Sequence, residues 1–141
     1  MEKMKVLLIE PLEKPRLVEI DHDLDTMQKL VGGPISCTYP WEDLVGLVHC
    51  DTGLEQRFPM NRMLRDENGE IYDIVPGAFF ICGLTADSFG SLPDDLAEKF
   101  TDLFRYPEMF MRTIDDHVVC FRLGSGEAPL RIICRRRLWR R

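Results

Sequence analysis

Four polar side chains in one short segment carry the most chemical potential in this sequence: Arg57, Asn61, Arg62 and Arg65, interleaved with Phe58, Met60, Met63 and Leu64. A guanidinium is a planar, permanently charged fork of N–H donors, a geometry that matches phosphate or carboxylate. Tyr39, Trp41 and Tyr72 flank the segment and offer π faces on which a base or a partner side chain can stack. Together these residues are the candidate binding set for a small anionic ligand. The segment also has a plainer use, as a surface strip whose arginines pair with the neighbouring Asp66, Glu67 and Glu70.

Other chemistries find less support. The histidines, His22, His49 and His117, are far apart, and His49 and Cys50 are adjacent, which on a strand sends them to opposite faces. There is no C-x-x-C, no H-E-x-x-H and no calcium loop, so no metal site is expected. No G-x-S-x-G or local Cys–His signature marks a nucleophile, and Cys82 sits in the apolar run Phe79-Phe80-Ile81-Cys82. The acidic pairs Asp66-Glu67, Asp94-Asp95 and Asp115-Asp116 fall in turn-like or helix-start contexts. They lack the contrast of environments that acid–base catalysis needs. No catalytic residue and no cofactor is therefore expected, and the chain reads as a binding protein, not an enzyme. Gly32-Gly33-Pro34 lacks the spacing of a phosphate loop and reads as a helix end.

The elements that must position these residues follow from periodicity. Lys5 to Pro11 and the alternating Arg16 to Asp21 predict a hairpin. Asp23 is a helix cap, and Leu24, Met27, Leu30 and Val31 form one apolar face before the glycine stop. Ile35 to Trp41 and Leu44 to Cys50 predict a strand pair. The stretch from Phe58 to Glu70 shows no clear period, apart from a turn at Asp66-Glu67-Asn68-Gly69. Ile71 to Val75 and Ala78 to Leu84 predict strands around Pro76-Gly77. Ser91-Leu92-Pro93-Asp94 predicts the capped start of a second helix, with Leu96, Phe100, Leu103 and Phe104 as its core stripe. Val118 to Leu123 predicts a further strand. The expected architecture is α+β: a mostly antiparallel or mixed sheet of about six to seven strands with two main helices packed on it.

With 141 residues, 45% hydrophobic and 30% charged, the chain has the size and balance of one globular domain. Residues 1–126 are expected to form it, with residues 127–141 a basic C-terminal extension. Val6 to Ile9 is too short an apolar run for a signal peptide, and no segment approaches the roughly 18 apolar residues of a membrane span. A cytoplasmic location with no membrane contact is expected. Cys37, Cys50, Cys82, Cys120 and Cys134 are odd in number and mostly set among apolar neighbours, as reduced buried thiols are. The net formal charge is −6, yet residues 131–141 hold six arginines and no acid. Setting those six aside from the 18 basic residues leaves 12 against 24 acidic ones, so the body is strongly acidic. That excludes general binding to duplex DNA, where affinity comes from neutralising phosphates. A homo-oligomer is compatible with the sequence.

Several collinear stretches resemble domain-of-unknown-function family 3846. They are Met4 to Pro11, Leu30-Val31-Gly32-Gly33, Tyr39-Pro40-Trp41-Glu42-Asp43, Asn61-Arg62 with Arg65 to Ile74, and Gly77 with Phe79 to Gly83. The resemblance covers roughly residues 4 to 110. It implies a setting in phages and conjugative elements, hence the cytoplasm of a host bacterial cell, and carries no activity or catalytic residues with it. The expected function is a non-catalytic accessory protein that counters host defence by holding a small anionic, nucleotide-like ligand. The alternative is an interaction module that inhibits a host protein, through its acidic surface in one version.

Overall fold

The computed structural model describes residues 2–66 and 68–132. Its first two strands are the expected hairpin, β1 (Lys3–Ile9) and β2 (Arg16–Asp21), in continuous register from Lys3 opposite Asp21 to Leu8 opposite Arg16. Helix α1 (Leu24–Val31) starts where the Asp23 carboxylate accepts the Thr26 N–H at 2.7 Å and ends at Gly32, whose φ of 93° closes the cap. Next come β3 (Ile35–Thr38), β4 (Val45–Cys50), β5 (Met60–Arg65), β6 (Ile71–Pro76), β7 (Phe79–Leu84) and the short β8 (Phe89–Gly90). Helix α2 (Asp94–Leu103) and strands β9 (Glu108–Arg112), β10 (Val118–Arg122) and β11 (Leu130–Ile132) complete the described chain.

The strands form three sheets, all paired antiparallel: β2-β1-β7-β4-β3 with β8 on β7, the hairpin β5-β6, and β11-β10-β9. The expected α+β architecture is thus corrected. Among the described residues there are eleven strands and two helices of 8 and 10 residues, so the domain is mostly β. The excess over the expected strands comes from β5, β8, β9 and β11. Strand β5 occupies the stretch that lacked a period, because a bulge between Met60 and Arg62 breaks its alternation and buries Asn61 to Leu64 consecutively. Strand β11 uses residues 130–132 of the expected basic extension, and the remaining arginines from Arg135 onward, with Cys134, lie outside the described residues.

Alternate residues of the main sheet face different partners. Met4, Val6 and Leu8, with Val48, Phe80 and Cys82, pack on Met27 and Val31 of α1. Leu7 and Ile9, with Val45, Leu47, Phe79 and Ile81, pack on Phe100 of α2, on Phe104 at its C-cap, and on Leu64 and Val75 of the β5–β6 hairpin. The hairpin's other face, Met63 and Ile74, packs on Val118, Cys120 and Ile132 of the small sheet. The layers therefore run α1, main sheet, α2 with the hairpin, small sheet.

Ser91 does not cap α2 as expected. Its hydroxyl accepts the Lys5 N–H at 2.9 Å, Pro93 holds the cap position, and no side chain caps the helix. The chain before α2 crosses β7 so closely that a Cβ on Gly83 would lie 2.3 Å from the Ser91 carbonyl oxygen.

One buried polar contact joins the layers. Asn61 Nδ2 donates to the carbonyls of Ile9 and Gly77, each at 2.9 Å, tying β5 to the end of β1 and to the turn before β7. Replacing this side chain strands two buried carbonyls and removes an acceptor from Arg62. Asn61→Ala is expected to cost about 2–3 kcal/mol. The measurement is urea unfolding, with a lower midpoint at unchanged slope; an unchanged midpoint would show that these contacts are worth nothing.

Candidate functional site

Between α2, the β5–β6 hairpin and the small sheet lies a cleft of about 390 Å³, within the range of small-molecule sites. Its apolar wall is aromatic. Trp41 lies 4.5 Å, centroid to centroid, from Phe100 in a tilted contact and 6.0 Å from Phe104 edge-on. Leu103, Met63 and Leu64 extend the wall, and Leu103 is exposed. The charged lining is Arg65, Lys99 and Arg122 against Asp66 and Glu108.

These charges are held to different degrees. Lys99 Nζ reaches Asp43 at 2.7 Å. Asp66 is committed to its own turn, accepting the N–H groups of Asn68 and Glu70 at 2.9 and 3.0 Å. Arg65, at the end of β5, is exposed and makes no ion pair among the described residues. Arg122 donates to Glu127 at 2.7 Å and stands over the Tyr106 ring at 5.5 Å. Its Nε is buried without a hydrogen bond among the described residues, with Glu108 Oε2 3.5 Å away. Glu108 is buried and accepts the Met63 N–H at 2.8 Å through Oε1. Burial pushes its carboxyl above the ordinary range, opposed by the Met63 N–H and by Arg62, Arg122 and Arg65.

The expected binding residues do not gather in one place. Trp41 and Arg65 line the cleft. Arg62 is fully buried and spends its guanidinium on protein oxygens: the Phe104 carbonyl at 3.2 and 3.3 Å, the Glu13 carbonyl at 2.6 Å, and Asn61 Oδ1 at 2.8 Å. Burial draws its pKa down to about 10. Arg62 and Asn61 are thus internal scaffold. Arg57 is exposed at a turn with φ 59°, Tyr72 is half-exposed on β6, and Tyr39 is exposed near Cys37, which packs with the core cluster on the α1 side. None of these three lines the cleft.

Lys99, Glu108 and Arg122 were not singled out from sequence. Arg122 had a usable signal: it shares strand parity with Val118 and Cys120, both buried. Glu108, directly after a proline, had none. Burial pushes the thiols of Cys82 and Cys120 up to about 12, which makes them poor nucleophiles. Among the described residues no cluster of His, Cys, Asp or Glu could hold a metal ion, and no helix is long and apolar enough to cross a membrane.

Fold and site together define a layered β-rich domain with an aromatic, cation-rimmed cleft. The chain belongs to the family described as Domain of unknown function (DUF3846), whose model matches residues 4–105. No curated protein and no solved structure matches it. The family segment holds Trp41, Arg65, Lys99 and both phenylalanines of the cleft, whereas Glu108 and Arg122 lie beyond it.

A carboxyl whose pKa is higher in the folded state than in the unfolded chain favours folding fully at pH below its unfolded value of about 4.5, and that contribution fades as pH rises through the folded value. Comparing wild type with Glu108→Gln isolates it. The stability of wild type relative to the variant should fall as pH rises from 4 to 7, read by urea titration at each pH. A difference that is flat or rises over this interval contradicts the assigned environment.

Proposed function

We propose that this protein is a non-catalytic binding protein that captures a small anionic, nucleotide-like ligand in the cleft beside Trp41. The observation that supports this best is the meeting of Trp41 and Arg65, far apart in sequence, at one ligand-sized opening. Three cationic side chains line that opening in a chain whose net charge is −6. The aromatic wall suits a planar ring, and the guanidinium of Arg65, which makes no ion pair among the described residues, suits a phosphate or carboxylate. The family resemblance supplies the setting of the proposal: an accessory protein of a phage or conjugative element that counters host defence by sequestering such a ligand.

A second reading, a module that binds and inhibits a host protein, is favoured by one feature. The outer face of the small sheet exposes Met109 and Met111 at 40% and 53%. Val119 and Phe121, their register partners, are only partly covered.

Two measurements separate these readings. Protein incubated with bacterial lysate, repurified and denatured should release a small anion detectable by mass spectrometry; a blank at matched sensitivity favours the interaction reading. With Trp139→Phe leaving Trp41 as the remaining indole, ligand addition should change its fluorescence. Arg65→Ala should weaken binding about tenfold or more by removing a charge-assisted hydrogen bond. Unchanged affinity would remove Arg65 from the site.

A further inference from the structure

A second opening lies where the main sheet meets the β5–β6 hairpin, a cavity of about 210 Å³. Strand parity determines which side chains turn toward it. His49 shares a face of β4 with Val45 and Leu47, the face that packs on the hairpin. Thr38 is the register partner of Leu47, so its side chain leaves the sheet on the same side. Asp73 shares a face of β6 with Val75 and stands opposite Leu64 in register, and both of those residues pack toward the main sheet. Three polar side chains from three strands therefore extend the apolar interlayer outward and line one space, with Leu47, Leu54 and Val75 among its walls.

Its charge is opposite to that of the cleft beside Trp41. Among the described residues no lysine or arginine lines it, whereas Asp73 does, and the exposed Asp51 adds a second carboxylate. Asp73 is half-buried; its Oδ1 accepts the Ile74 N–H at 2.8 Å, and no described cation pairs with it. Burial pushes this carboxyl above the ordinary range, opposed by the Ile74 N–H and by His49, and a cation brought beside it would offset that desolvation. His49 Nδ1 lies 3.1 Å from the Cys50 carbonyl, which can only accept. In the neutral ring the proton therefore sits on Nδ1, and Nε2 at the far end is an acceptor. His49 and Asp73 make no hydrogen bond or ion pair with each other. We propose that this cavity is a second binding site, independent of the anion cleft, for a primary ammonium group on a short apolar chain. Asp73 pairs with the charge, His49 Nε2 accepts one of its N–H groups, and the apolar walls hold the chain. An ammonium group brings three donors and no acceptor, which matches a lining of carboxylate and neutral imidazole. The volume is below the range of drug-sized sites and suits an ion of a few heavy atoms. The net charge of −6 favours the approach of such a cation.

The test is a methyl NMR titration of the full chain with three probes of one chain length: butylammonium, butanol and butyrate. Butylammonium should bind about tenfold or more tightly than butanol, the scale of one charge-assisted hydrogen bond, and butyrate should not bind. The shift changes should centre on the methyl groups of Leu47, Leu54, Leu64 and Val75. Asp73→Asn keeps an acceptor for the Ile74 N–H and should lower butylammonium to the affinity of butanol. His49→Phe keeps a ring of similar shape and should weaken butylammonium several-fold while leaving butanol unchanged. Equal binding of butylammonium and butanol, binding of no probe, shift changes scattered over the acidic surface, or undiminished binding by Asp73→Asn would each overturn the assignment. Undiminished binding by His49→Phe would remove His49 from the site. If the variants do not fold, the wild-type comparison of the three probes, with the location of the shift changes, decides the matter by itself.

Discussion

The buried guanidinium of Arg62 and the amide of Asn61 beside it are the contact on which the rest of this structure depends. Between them they satisfy carbonyls of Ile9, Glu13, Gly77 and Phe104. Those four carbonyls belong to the end of β1, the loop after it, the turn before β7 and the end of α2. Ile9, Gly77 and Phe104 are buried residues, so their carbonyls would be costly to leave unpaired, whereas Glu13 lies in an exposed loop that Arg62 ties down. Burying a cation is expensive, and the fall of the Arg62 pKa to about 10 measures that cost in direction. It is offset because the fork of donors is almost wholly spent on oxygens.

This hub also shapes the cleft. Arg62 holds the Phe104 carbonyl, and the Phe104 ring packs against Trp41 on one side and Phe79 of the main sheet on the other, at 6.0 and 5.5 Å. The aromatic wall is therefore anchored through backbone, not only through apolar packing. From the same strand, Met63 donates its N–H to Glu108 and Arg65 points its charge to the rim. Strand β5 thus serves core, wall and rim with consecutive residues. Its bulge makes that distribution possible, since regular alternation would place Asn61 and Arg62 on opposite faces.

That bulge also explains how much was legible in the sequence. The first hairpin, α1 with its Asp23 cap and Gly32 stop, and the strand at Val118 obey simple periods and local chemistry, and they form as expected. Strand β5 does not, because its buried run includes an asparagine and an arginine whose partners lie 16 to 52 residues away. No local pattern encodes such partners. Ser91 looked like a helix cap because the sequence around it fits one, but the Lys5 N–H competes for the hydroxyl across 86 residues. The arginine cluster was legible as composition and not as roles: of three similar side chains, one is scaffold, one rims the cleft and one sits at a turn. Glu108 was invisible for the same reason, being buried only because β9 docks beside β5.

The acidic character of the chain does not conflict with an anion site, because the two act over different distances. At physiological ionic strength a surface charge is largely screened beyond about 8 Å. The net charge of −6 on the chain would therefore slow the approach of the proposed anion more than it would weaken the bound state. Affinity for the proposed ligand would be set within hydrogen-bond distance, where Arg65, Lys99 and Arg122 are the groups at the opening. The two carboxylates there are already engaged, Asp66 by its turn and Glu108 by the Met63 N–H. For the proposed site, what would repel from afar is the whole surface, and what would bind is the small set of cationic donors at the opening.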